Sequence, residues 1–145
     1  MDTKEGCCVV EGRVYLAGPI RGQPDFNYPL FHEAAAYLRE AGWEVVNPAE
    51  HFGGRTDLPI HVYLRKGVAE LARCQAIALL PGWEKSVGAK LEYAVAYHLH
   101  LMFVFLECQS PMAVRRWVCK QVAWPKVLDE PLVVFSNVRA AERQP

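Results

Sequence analysis

The stretch Ala76-Ile77-Ala78-Leu79-Leu80-Pro81-Gly82-Trp83-Glu84-Lys85-Ser86-Val87-Gly88-Ala89-Lys90-Leu91-Glu92 decides the fold. Its first five residues are all apolar and end on Pro81-Gly82, which reads as a short buried strand stopped by a turn. Ser86 then stands where a helix N-cap belongs, and the residues after it predict a helix from about Val87 to Leu99. Strand, turn and helix in succession are the building unit of a parallel sheet.

The same unit recurs on both sides of this stretch. Upstream, Arg13 to Ala17 is a compact strand stopped by Gly18-Pro19. Phe31, Ala34, Ala35 and Leu38 recur at helical spacing between about Pro29 and Ala41, with Pro29 suited to the first turn and Gly42 to the stop. Trp43 to Val46 is a second strand ended by Asn47-Pro48, Ala49 to Pro59 is an irregular loop, and a helix follows from about His61 to Arg73. Downstream lie a strand from Leu101 to Phe105, a helix opened by Ser110-Pro111 and a last strand from Leu132 to Phe135. The expected architecture is α/β: three layers, with a mainly parallel five-stranded sheet and helices on both faces, flavodoxin- or Rossmann-like. No repeat or linker divides the chain, so residues 1–145 read as one domain with its core at about 13–136. In such sheets the ligand crevice lies beyond the carboxyl ends of the strands. That rule selects Gly18 to Gln23, Asn47 to Pro59 and Pro81 to Gly88.

Composition narrows the partners. Sixteen basic residues balance sixteen acidic ones, so no global field draws the chain to a nucleic acid polymer or an anionic membrane. The longest apolar run, Leu99 to Leu106, is broken by His100 and is too short to span a bilayer. Met1 to Gly6 lacks the apolar segment of a secretory signal, and a cytoplasmic protein is expected. The five cysteines are odd in number and form no C-x-x-C pair, and the histidines supply no metal-ligand spacing. Free thiols are expected, with no metal and no cofactor.

Three residues near the quoted stretch's end form a candidate site. With Ser86 as N-cap, its hydroxyl and the free amides of the first helical turn favour an anion. Gly88 lets a ligand approach the backbone. Glu92 follows one turn later on the same face, flanked by the small Ala89 and Ala96. Val87, Leu91, Val95 and Leu99 form a separate apolar stripe expected to face the sheet. The competing reading of Glu92 is a solvated helix glutamate behind an ordinary serine cap. At the first strand's end, the amides of Ile20, Arg21 and Gly22 and the Arg21 guanidinium could cradle an anion. The alternative is a structural turn with Arg21 on the surface. The segment is not G-x-G-x-x-G, which argues against a dinucleotide.

Tyr15-Leu16-Ala17-Gly18-Pro19-Ile20-Arg21-Gly22, together with Leu79-Leu80-Pro81-Gly82-Trp83-Glu84-Lys85-Ser86-Val87-Gly88-Ala89-Lys90-Leu91-Glu92, resembles the nucleoside 2-deoxyribosyltransferase superfamily. The likeness spans roughly residues 13 to 106 and is closest to the short phage-type members and the 2'-deoxynucleoside 5'-phosphate N-hydrolases. It implies that Glu92 is the nucleophile at the anomeric carbon and that Tyr15 orients it. It further implies that Gly18, Ile20, Arg21 and Gly22 hold the 5' end, with Ser86 and Gly88 forming the other half of the phosphate site. Ser110 matches loosely a serine lent across a subunit interface, against its plainer role as a helix cap. Two positions depart from the pattern: Gly67 and Gln75 stand where members carry aspartates. Glu84, Asp57 and Glu70 are the candidate replacements for the lost acid.

The function expected from these residues is N-glycosidic bond cleavage or deoxyribosyl transfer on a nucleoside or nucleoside 5'-monophosphate. The alternatives are a catalytically impaired nucleotide-binding or regulatory protein of the same fold and a flavodoxin-like mononucleotide carrier. Trp83, Tyr63, Phe26, Tyr28 and His51 could contact the base, although each is as readily explained by packing or solvation. A homodimer or larger homo-oligomer is expected, with the helix after Ser110, including Trp117 and Val118, as a candidate contact.

Overall fold

The computed structural model describes residues 12–108 and 117–122. Five strands form one sheet: β1 (Arg13–Ala17), β2 (Glu44–Val46), β3 (Ala76–Leu79), β4 (Met102–Cys108) and β5 (Trp117–Val122). Their order is β2-β1-β3-β4-β5. The first four run parallel, and β5 returns antiparallel along β4. The helices are α1 (Tyr28–Glu40), α2 (Ile60–Leu71) and α3 (Val87–His98). Successive strand residues point to opposite faces, and the sheet accordingly divides two cores. Val14, Leu16, Ala76 and Ala78 pack with Phe31, Ala34, Ala35 and Leu38 of α1. Tyr15, Ala17, Ile77 and Leu79 pack with Leu71 of α2 and with Ala89, Tyr93, Ala96 and Tyr97 of α3. The three-layer α/β architecture is therefore the one expected.

The connections explain where the crevice opens. β1 feeds α1 and then β2 on one side, whereas the chain after β2 crosses through α2 to β3 on the other. The order reverses between β1 and β3, and a ligand site is expected beyond their carboxyl ends. At that point Gly18 approaches the β3 end so closely that a Cβ there would lie 2.8 Å from Leu80 Cβ.

Three sequence expectations fail. Trp117 and Val118 belong to strand β5 and not to a helix opened by Ser110. Trp117 stacks on Tyr37 of α1, with ring centroids 6.3 Å apart, and this contact holds the antiparallel edge against the first core. Ser110 itself and the strand expected at Leu132 to Phe135 lie outside the described residues. The apolar stripe of α3 also turns mostly outward, Val95 alone of its four residues packing against the second core. Val87, Leu91 and Leu99 are 80%, 40% and 49% exposed, whereas Ala89, Glu92, Tyr93, Ala96 and Tyr97 face inward. The reason is aromatic packing: Tyr93 stacks on Trp83 at 4.6 Å and meets Phe103 edge-on at 5.0 Å. These large rings bury more apolar area than the branched stripe would, and the alanines let the helix lie close to the sheet. Of the thiols, Cys74 is free and buried, whereas Cys119 is disulfide-bonded, contrary to the expectation of free cysteines.

Candidate functional site

The floor of the crevice is made by three elements. Tyr15, at the centre of β1, points toward α2 and α3, and its hydroxyl donates to Glu92 Oε2 at 2.7 Å. Glu92 projects from the inward face of α3 and is only 8% exposed. Between them on α2 lies Gly67, itself buried. A Cβ at Gly67 would fall inside contact distance of the Tyr15 hydroxyl and 2.8 Å from Glu92 Oε2. The glycine is thus required by the tyrosine–glutamate pair, which occupies the space a side chain at 67 would need.

Burial sets the electrostatics of this pair. Loss of water pushes the Glu92 carboxyl up to about 7, and the hydrogen bond from Tyr15 acts in the opposite direction by stabilising the anion. The Tyr15 hydroxyl is raised well above its ordinary value, first by burial and then by the adjacent carboxylate, so it remains a proton donor. A carboxyl balanced near neutrality at the base of a hollow is a common signature of a chemical site.

Above the pair opens a cavity of about 640 Å³ lined by Tyr15, Arg21, Ser86, Gly88 and Glu92 among others. That volume suits a ligand the size of a mononucleotide. Ser86 caps α3 by accepting from the Ala89 N–H at 3.1 Å, which leaves its own hydroxyl proton for a ligand. A Cβ at Gly88 would meet Leu64 Cδ2 of α2 at 3.4 Å, an ordinary contact, so what the glycine adds here is open backbone facing the cavity. Gly18, Ile20 and Arg21 line the same cavity. The Ile20 side chain packs against the first core, leaving its backbone as the part available to a ligand. Gly22 holds a φ of +82° in the turn but does not line the cavity. Seven of the eight candidate residues are therefore brought together, with Gly22 serving the loop's shape. The Arg21 guanidinium lies 5.8 Å above the centroid of Tyr63 and donates weakly to the Leu58 carbonyl at 3.4 Å. It links the first crevice loop to the second.

The remaining candidates divide. Phe26, Tyr28, Tyr63 and His51 line the cavity, whereas Trp83 is a packing anchor under α3. Burial, followed by the nearby Lys66, lowers the pKa of His51 and favours its neutral ring. None of the three proposed replacement acids lines the cavity. Asp57 is bound to Arg55 at the surface, and Glu70 pairs with Lys66 at 3.4 Å. Gln75 stands at the opposite end of β3, where its Oε1 accepts from the Arg13 N–H at 2.7 Å and ties β1 to β3. That departure from aspartate is structural and remote from the crevice. Among the described residues no group of three His, Cys, Asp or Glu gathers to hold a metal ion.

Sequence reasoning missed Lys85, Asn27 and Asn47. Lys85 lines the cavity beside Ser86 and adds a second cation to the anion end, and its place just before the N-cap was a readable signal. Asn27 closes a turn in which Asp25, Phe26 and Asn27 all have positive φ, and its Nδ2 donates to the Pro19 carbonyl at 2.9 Å. Asn47 is buried; it accepts from the Ala49 N–H at 3.0 Å, and its Nδ2 lies 3.2 Å from His32 Nδ1, anchoring the second crevice loop.

No helix among the described residues is long and apolar enough to cross a membrane. No curated protein matches the chain. A family profile described as a domain of unknown function (DUF4406) matches residues 12–105, which carry both crevice motifs and the Tyr15–Glu92 pair.

Proposed function

The chain belongs to the DUF4406 family of domains of unknown function, and from that premise we propose that it breaks the N-glycosidic bond of a nucleoside 5'-monophosphate, with Glu92 as the group that meets the anomeric carbon. One observation carries this reading: a buried carboxylate, oriented by the Tyr15 hydroxyl at 2.7 Å, forms the floor of a mononucleotide-sized cavity. Cleavage passes through an oxocarbenium-like state, and a desolvated carboxylate beneath the sugar stabilises that charge or traps it covalently. Arg21, Lys85 and the amide end of α3, capped by Ser86, provide the complementary charge for a 5'-phosphate. The resemblance to nucleoside 2-deoxyribosyltransferases and 2'-deoxynucleoside 5'-phosphate N-hydrolases supports the same chemistry, with transfer to an acceptor base as the variant reaction.

The test is chromatographic detection of base release from nucleoside and deoxynucleoside monophosphates by the wild type and by Glu92→Gln. Release that depends on Glu92 is expected; equal release by both proteins would remove Glu92 from the mechanism. A second reading, a nucleotide-binding or regulatory protein without turnover, is favoured by the closed position at Gly67, where no second acid can stand. Calorimetric titration showing nucleotide binding without base release from any nucleotide would select it. The balanced charge supports a protein that acts on a small molecule rather than on a nucleic acid polymer or an anionic membrane. The outward stripe of Val87, Leu91 and Leu99 supports a homodimer.

A further inference from the structure

Two-carboxylate glycoside chemistry needs one group at the anomeric carbon and a second to protonate the leaving atom. Among the described residues lining the cavity, Glu92 is the sole carboxylate, and the space at Gly67 is filled by the Tyr15–Glu92 pair. None of the other proton-bearing groups of the wall is a carboxyl: Arg21, Lys85 and Ser86 are assigned to the phosphate end, Thr56 carries an aliphatic hydroxyl, and the rings are engaged or hold their protons. Tyr15 gives its proton to Glu92. Tyr63 gives its own to the Arg55 carbonyl at 2.7 Å while accepting from the Leu58 N–H. His51 is favoured as the neutral ring, and burial holds the Tyr28 phenol protonated. One carboxyl cannot act as an anion at the carbon and donate a proton to the leaving nitrogen at the same moment.

The aromatic wall adds an independent observation. Phe26 and Tyr28 lie with ring centroids 6.1 Å apart beside the cavity. The face of Tyr63 already carries a cation, the Arg21 guanidinium at 5.8 Å. Aromatic faces of this kind attract positively charged ligands once water is excluded.

Resting on the N-glycosidase reading above, we propose that the site's substrates are nucleoside 5'-phosphates whose base is already cationic: pyridinium nucleotides or N7-alkylated purine nucleotides. In these glycosides the C1'–N bond breaks with its electron pair moving onto the base, where it cancels the positive charge. The base departs neutral and needs no proton. Glu92 meets the electron-poor C1', water then adds its oxygen there, and the proton that water loses passes through the carboxylate to solvent. One cationic nucleotide and one water give one sugar phosphate, one neutral base and one released proton.

The experiment follows base release and proton release together, with the full chain, on nicotinamide mononucleotide, N7-methylguanosine 5'-monophosphate, GMP and dGMP. Rates are divided by the spontaneous rate of each compound. At least one cationic nucleotide is expected to exceed both neutral ones by about 100-fold or more, the scale of a missing general acid, with one proton per base. Preference within the cationic pair identifies the source. Comparable normalised rates on all four would overturn the cationic preference and leave the N-glycosidase reading intact. No release from any of the four would overturn both. Glu92→Gln, with folding checked by thermal melting, is expected to abolish the release.

Discussion

On the α1 side of the sheet, the core is made by residues such as Leu16, Ala78 and Val104 packed on Phe31, Ala35 and Leu38. On the α2 and α3 side, the same strands carry Tyr15 and Ile77 into a core that also contains Cys74, Tyr93 and Tyr97, with Glu92 beside it. Burial pushes the Cys74 thiol up to about 11 and raises the Tyr93 phenol, whose hydroxyl has no hydrogen-bond partner among the described residues. The first side follows the rule that cores are apolar, with the indole N–H of Trp43 its one unpartnered buried side-chain polar atom among the described residues. The second departs from it repeatedly, and two of the departures, the Tyr15 hydroxyl and the Glu92 carboxyl, line the cavity, whereas Cys74, Tyr93 and Tyr97 do not. A polar group retained where an apolar one would pack better is the expected mark of a working site.

The contrast can be broken most forcefully by exchanging one residue on each side. Glu92→Gln is expected to reduce base release by about a thousandfold or more, whereas Leu38→Ala should leave kcat nearly unchanged and cost about 2–5 kcal/mol of stability by opening a cavity. Steady-state kinetics and urea unfolding on both variants would show whether function and packing are divided by the sheet.

Next in size is Gly67→Ala. The added methyl group must displace the Tyr15 hydroxyl or Glu92 Oε2, and a loss of about 1–3 kcal/mol is expected from this overpacking. Combining it with Tyr15→Phe removes one of the two obstructing oxygens, so the double variant should lose less than the sum of the singles. A double-mutant cycle measures that coupling.

The pH dependence sharpens the comparison further. Glu92 is held at about 7 against an ordinary 4.5, so the folded state binds this proton more tightly than the unfolded chain. Its contribution to stability is complete below about pH 4.5 and is lost as pH rises through about 7, a difference of about 3 kcal/mol. Glu92→Gln, which resembles the protonated form, should therefore match the wild type near pH 4.5 and exceed it by about 1–3 kcal/mol at pH 8. Tyr15→Phe removes the donor that favours the anion and should move the transition to higher pH. Leu38→Ala should shift the whole curve without changing its shape.

The smallest effect belongs to the outer face of α3. Val87 is already 80% exposed, so Val87→Ser should change unfolding stability by no more than about 0.5 kcal/mol. A larger loss in denaturant titration, or one that grows with protein concentration, would mean that the stripe is covered by a second copy.

Much of this was legible in the chain. The limits of β1, the Ser86 cap and the placement of Glu92 beside Ala89 and Ala96 follow from turn residues and helical spacing, which act locally. The facing of α3 was not legible, because the helix is apolar on nearly every side and spacing alone permits either face to turn inward. Tertiary contacts among Trp83, Tyr93 and Phe103 decide the matter. Strand β5 was hidden for a related reason: its role depends on pairing with β4 and on Trp117 meeting Tyr37, both remote in sequence. The fate of Gly67 was equally unreadable, since the obstruction comes from residues on two other elements.

The hydrogen bond between Tyr15 and Glu92 joins positions 77 residues apart. During synthesis at about 5–20 residues per second, the tyrosine waits about 4–15 s before its partner leaves the peptidyl transferase centre. The nascent chain can therefore pair β1 with β2 and seat α1 against them while the glutamate is still in the exit tunnel, whereas Val104 and Leu106, which complete the α1 core, follow it out. Dehydration of that carboxylate is deferred until most of the surrounding scaffold exists to hold it.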